Sequence, residues 1–190
     1  LTLIGEQVSP GAMAAGIGVL FMARGIGTGI GPIIARGLFT DQSNWPVVLG
    51  SAIAVSGSAY FAVGLVPWAP EGVSLFAVIA LVVMAHASSG GNWVLATVLL
   101  QKRTDDAYRG RVFATEWLLV MVAESISIGA ASVLLELGWL DLAGAVRVFA
   151  GAQIAFGLFW LLIVVPRERR ADAEEAQGEA LEPAAAREDV

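Results

Sequence analysis

GAMAAGIGVLFMARGIGTGIGPIIARG, residues 11–37, decides how the rest of the chain is read: an almost wholly apolar run with Arg24 at its centre and glycine at every second position from Gly25 to Gly31. As a helix it exceeds the roughly 20 residues that cross a hydrocarbon core of about 30 Å. Glycine at this density weakens a helix in water, but in lipid it lets neighbouring backbones approach closely. Gly25-xxx-Gly29 and Gly27-xxx-Gly31 are overlapping small-xxx-small pairs and predict helix packing. A nucleotide-binding role fails on spacing, because Ile30 stands where the dinucleotide fingerprint needs its third glycine, and no Gly-Lys-Ser/Thr follows. Arg24 costs at least a few kcal/mol near mid-bilayer unless it faces protein or a watery cavity, so it calls for a partner.

Working outward, the apolar residues recur in runs. The chain has 190 residues, 57% of them hydrophobic, with a mean hydropathy of +0.74. This composition predicts an integral membrane protein of all-α class, a polytopic transmembrane helix bundle of about five spans. The spans are read at 11–36, 46–66, 73–100, 112–137 and 143–165, preceded by a mildly polar lead-in ending in Ser9-Pro10. Pro46 sits where a first helical turn tolerates proline, and Pro67-Trp68-Ala69-Pro70 ends the second run at a membrane interface. The bundle occupies 1–165. Residues 166–190, alanine- and glutamate-rich with little bulky apolar content, are expected to be a disordered acidic tail, with a helical start as the alternative, and with Arg167, Arg169 and Arg170 anchoring the last helix at headgroups.

That tail holds eight acidic and four basic side chains, so most of the formal charge of -6 belongs to it. The near-neutral body excludes a nucleic-acid surface. The chain has no cysteine, which excludes disulfides and thiolate chemistry, and no metal or cofactor is expected. The chain begins at Leu1 without a basic leader segment, which predicts a fragment.

Five spans alternate sides. One side collects Arg36, Lys102, Arg103, Arg109, Arg111, Arg167, Arg169 and Arg170, while the other has no lysine or arginine before Arg147. The positive-inside rule therefore predicts a multi-pass protein with a cytoplasmic C-terminus.

Ionisable groups fall in the middle of three spans only: Arg24 in the first, His86 in the third and Glu124 in the fourth. Three costly residues at similar depth predict one shared interior site, with the second and fifth spans facing lipid. Two readings of Arg24 and Glu124 fit, a transport path and a static buried pair that fixes packing. His86 is either a hydrogen-bonded bundle histidine or a protonation switch. His86 with Ser88 and Ser89 does not make a hydrolase, since side chains two and three apart on one helix are not aimed at each other. Asn92, on the same span, reads as an interhelical hydrogen-bonding group or a path residue, and Gln153 as an interhelical hydrogen-bonding group. Between the third and fourth spans, Asp105, Asp106, Arg109, Arg111 and Glu116 read as topology determinants or as a conformational latch.

FMARGIGTGIGPIIAR at 21–36 and LQKRTDDAYRGRVFATEW at 100–117 carry a resemblance. The first resembles the glycine-rich eighth helix, and the second the loop between the tenth and eleventh helices, of the C-terminal half of a bacterial major facilitator superfamily transporter, especially its drug- and siderophore-exporting branches. The resemblance covers about residues 1–165 and implies helices eight to twelve of twelve, with spans one, three and four lining a central cavity and two and five outside. It implies a proton-coupled exporter of small amphipathic molecules in the bacterial cytoplasmic membrane, whose partners are lipid, a small-molecule substrate and the missing N-terminal half. The loop at 37–45 departs from the family pattern, keeping only Arg36, Gly37 and Asp41 of its arginine-rich signature. A non-transporting membrane scaffold, whose polar residues only set helix packing, is the rival expectation.

Overall fold

In a computed structural model the described residues are 13–38, 41–66, 75–174 and 177. They form five helices long and apolar enough to cross a membrane. These are α1 (Met13–Leu38), α2 (Trp45–Leu65), α3 (Leu75–Arg103), α4 (Asp106–Glu136) and α5, which starts at Leu142 and runs to Glu174. The lead-in, the 67–70 turn and residues 178–190 of the tail lie outside the described residues.

Two boundaries differ from expectation. The fourth helix begins at Asp106 rather than 112, because Asp105 caps it by accepting from the Ala107 amide at 3.1 Å, and the expected 101–111 loop shrinks to Thr104 and Asp105. The fifth helix continues through 166–174, the start of the expected disordered tail, where Glu168 forms an ion pair with Arg103 at the end of α3.

α3 lies between α1 and α2, and α2 lies between α3 and α5. Small residues set both outer contacts. At the α1–α3 contact, a Cβ added to Gly27 would sit 2.5 Å from the Val83 carbonyl oxygen, and one on Gly31 would collide with the Ala87 carbonyl. From the other side, a Cβ on Gly90 would sit 2.7 Å from the Thr28 carbonyl oxygen. The α2–α5 contact repeats the device with Gly50, Gly57 and Gly64 on α2, and Gly157 on α5 meets the Ala54 amide. In lipid, where apolar burial gives helices no reason to associate, such close approach gains dispersion contacts instead.

Polar groups at the helix ends are satisfied across these contacts. Arg147 donates to the Gly64 carbonyl at 3.1 Å, one of the orphan acceptors at the end of α2, and the Trp160 indole N–H donates to the Pro46 carbonyl at 2.9 Å. Trp160 opens a π-helical stretch, Trp160–Val164, where α5 passes Gly50 of α2. Ahead of α2, Asp41 accepts from the Ser43 hydroxyl at 2.8 Å and the Ser43 amide at 3.0 Å, and these bonds hold its carboxyl below the usual carboxylate range. A depressed carboxylate contributes at neutral pH, and the contribution is lost as pH falls through its lowered value. The turn between α4 and α5 closes on Gly138 at φ +68, a left-handed conformation that glycine adopts without a Cβ clash.

α4 is the exception. No residue on it is buried, and it meets the rest through the Trp93–Trp117 ring pair, 5.3 Å between centroids, and near its turn to α5. The second span, expected to face lipid, packs against both α3 and α5, while the fourth, expected to line an interior, has few contacts with the other helices and no buried residue. Gly31→Val is expected to destabilise the α1–α3 contact by about 1–3 kcal/mol. Gly25→Val, where nothing lies within 4 Å, is expected to leave stability unchanged, and thermal unfolding in detergent separates the two outcomes.

Candidate functional site

His86 lies against Gly27, one turn along α1 from Arg24. Trp93, which meets Trp117, is seven residues toward the basic end from His86, and Glu124 is seven residues back from Trp117 along α4, so Arg24, His86 and Glu124 share a depth. The structure draws two of them into one region. His86 on α3 lies beside Gly27 of α1, its Cβ only 2.9 Å from where a glycine Cβ would be, and Arg24 is one turn earlier on α1.

The partner of His86 is Tyr60 on α2. The Tyr60 hydroxyl hydrogen-bonds the His86 Nε2, and the two rings meet edge to face with centroids 5.7 Å apart. This brings a phenol and an imidazole together from two helices, with Arg24 about one turn along α1 from the Gly27 that His86 touches. Two apolar clusters lie on either side of this polar node. Leu20, Ala23, Val63, Val78 and Val82 form one, and Ala35, Trp45, Leu49 and Leu95 form the other, toward the basic end. An imidazole bonded to a phenol can hold or pass a proton.

Glu124 stands apart. It is exposed on α4, and neither its carboxylate nor the Arg24 guanidinium makes an ion pair or hydrogen bond among the described residues. The expected Arg24–Glu124 pair is therefore not formed: α4 does not pack against α1, and each charge points from a face that this chain leaves open. Other polar groups of α4 are satisfied within their own helix, since Ser125, Ser127 and Ser132 donate to the Met121, Ala123 and Ile128 carbonyls at 2.8–2.9 Å. Gly25 and Gly29 face open space, in contrast to Gly27 and Gly31.

Below the polar node lies a cavity of about 770 Å³ between α1, α2 and α3. Asn92 lines it, and its Oδ1 is buried with no hydrogen-bond partner. An unsatisfied buried acceptor costs about 1–3 kcal/mol.

At the basic end, the latch candidates act locally. Asp106 and Arg109 form an ion pair one turn apart, and Arg109 also reaches the Gln101 carbonyl at 3.5 Å. Asp105 is the cap of α4, while Arg111 and Glu116 border a shallow cleft of about 460 Å³ between α4 and the end of α3. Besides the Arg109–Gln101 bond, contacts that cross between elements here are Arg103–Glu168 and Lys102 over the Trp45 ring, 5.3 Å from its centroid. Among the described residues no group of three or more His, Asp or Glu side chains is placed to hold a metal.

The sequence reading missed Tyr60, Arg147 and Trp160. A tyrosine inside an apolar run is itself a signal, because a buried phenol needs a hydrogen-bond partner and the mid-span imidazole was the obvious candidate. No family model, curated protein or solved structure matches the chain. Tyr60→Phe is expected to leave the helices intact and to remove the hydrogen-bonded Nε2 signature from the His86 side-chain ¹⁵N spectrum; an unchanged spectrum would mean that the two rings are not bonded.

Proposed function

We propose that the chain is the C-terminal part of a secondary active transporter of the major facilitator type, a proton-coupled exporter of small amphipathic molecules across a bacterial cytoplasmic membrane. The observation that carries this reading is the pair of unpaired charges, Arg24 and Glu124, at matching depth on faces the described chain leaves open. Intramembrane charges of this kind face a bundle interior or a watery path, so another bundle has to complete the surroundings of both. Alternating access likewise needs two halves rocking about a midplane site. The motifs at 21–36 and 100–117 support the same family, and the positive-inside rule puts the basic end in the cytoplasm.

On this reading Arg24 and the Tyr60–His86 pair border the path, Glu124 faces it from α4, and His86 or Glu124 carries the proton. Arg109, paired with Asp106 and bonded to Gln101, stiffens the α3–α4 turn on which a latch would act. The scaffold alternative needs Arg24 and Glu124 to set helix packing, and neither side chain makes a contact through which it could do so here.

In the complete protein reconstituted in proteoliposomes, Glu124→Gln and His86→Gln are the informative variants. At least one is expected to uncouple export from an imposed pH gradient while leaving the helical circular dichroism spectrum unchanged. Proton-coupled export at the wild-type rate in both would remove the role assigned to these residues.

A further inference from the structure

Arg24 and Glu124 stand on one side of the molecule. On α1, Ile30 and Ile34 line the cavity on one flank of the Gly27/Gly31 contact, and Arg24 falls on the other flank. On α3, Met84 and Ser88 line the cavity, while His86 and Trp93, seven residues apart on one stripe, lie on the flank away from it. Trp117 of α4 meets Trp93, and Glu124 continues the Trp117 stripe seven residues on, at the height of His86. A cation and a carboxylate therefore border the same side of α3 at one depth, on helices that do not pack against each other.

Lipid serves neither charge there. Both residues lie more than two turns inside their spans, Ala14–Gly37 and Asp106–Glu136, away from the level of headgroup phosphates and amines. Protein has to supply the counter-charges, and the pattern says which protein can. A two-fold axis along the membrane normal keeps every residue at its own depth, so it brings an acid to the level of Arg24 and a base to the level of Glu124 when it generates a second copy. Opposite charges at one depth on one side thus form a self-complementary face. The neighbouring turns match as well, because α1 and α4 run in opposite directions. Exposed Phe21 comes level with the partner's Ile128, and Thr28 with the partner's Met121.

We propose that this face binds a second copy of the chain in parallel orientation, Arg24 of each copy pairing with the partner's Glu124. This pairing rests on the reading above that another bundle completes the surroundings of both charges. Halves of a major facilitator transporter are themselves related by an axis along the membrane normal, so the second copy takes the place of the other half.

The chain has no cysteine, so Ala171→Cys, exposed past the basic end, gives one attachment point for a donor or an acceptor dye. Energy transfer between donor- and acceptor-labelled copies is followed in vesicles as lipid is added, and it is expected to stay above the level of random proximity. Arg24→Glu alone puts two acids at each contact and Glu124→Arg alone two bases, so each should weaken self-association roughly tenfold or more. A mixture of Arg24→Glu copies with Glu124→Arg copies again joins an acid to a base at both contacts. It should recover the wild-type transfer, which also shows that both variants fold. An Arg24–Glu124 contact within one copy is repaired only by the double variant, never by this mixture. Random-level transfer by the wild-type chain, or a mixture no better than either variant alone, would overturn the second copy. The milder Arg24→Gln and Glu124→Gln should each weaken association too, and wild-type association in both would overturn it equally. Failure of self-association with Glu124→Gln still uncoupling export in the complete protein would leave the transport reading standing without a second copy. Recovery in the mixture with proton-coupled export untouched by Glu124→Gln and His86→Gln would keep the pairing and remove the transport role.

Discussion

Everything in this bundle depends on how near α1 can come to α3. With Gly27 and Gly31 on one side and Ala87, Gly90 and Gly91 on the other, backbone meets backbone, and a single added methyl group on Gly31 has no room. That approach sets His86 beside α1, one turn from Arg24. It also fixes the wedge of space on the α2 side. α1 is held against α3 along its glycine face, α2 is held against α3 and α5, and the room left between α1 and α2 becomes the cavity. One close contact thereby places both the polar node and the apolar pocket.

The bilayer imposes a second constraint, that backbone and side-chain polar groups find partners inside the protein. Most do: Arg147 and Trp160 serve the two ends of α2, serines on α4 bond back to their own helix, and the Asp41 and Asp105 side chains cap the helical turns that start beside them. Against that thoroughness the unsatisfied groups stand out. Arg24 and Glu124 lack partners on faces open to the outside of the bundle, and the Asn92 oxygen lacks one inside it.

The five helices were legible because a long apolar run has few alternatives, and their ends were less so. Asp105 and Asp106 read as loop from their charge, whereas a carboxylate that caps a helix starts it. Residues 167–174 read as a disordered tail, and sequence spacing does not show the ion pair between Glu168 and Arg103 across 65 residues of chain. The glycine pairs were found as pairs but not assigned to faces. Two residues along a helix turn it through about 200°, so Gly25/Gly29 and Gly27/Gly31 point to nearly opposite sides, and one helix on one side fills only one of them. The central position of α2 was hidden by its lack of charge. Its real signal was Gly50, Gly57 and Gly64 at intervals of seven, a stripe suited to close packing rather than to lipid.

α4 then becomes intelligible as a helix with too little company. An apolar helix that spans a bilayer can sit in lipid without a partner, but one with a carboxylate at mid-depth and tryptophan touching only one neighbour cannot do so cheaply. Nor can α5 or α3 satisfy Glu124, since they meet α4 only toward its ends. α1 likewise carries Arg24, exposed at the edge of its Gly27/Gly31 stripe, and on a different side the unfilled Gly25/Gly29 pair. On the transport reading proposed above, two charges at one depth and of opposite sign would serve a path between two helical bundles, costly alone and satisfied in turn as the halves rock.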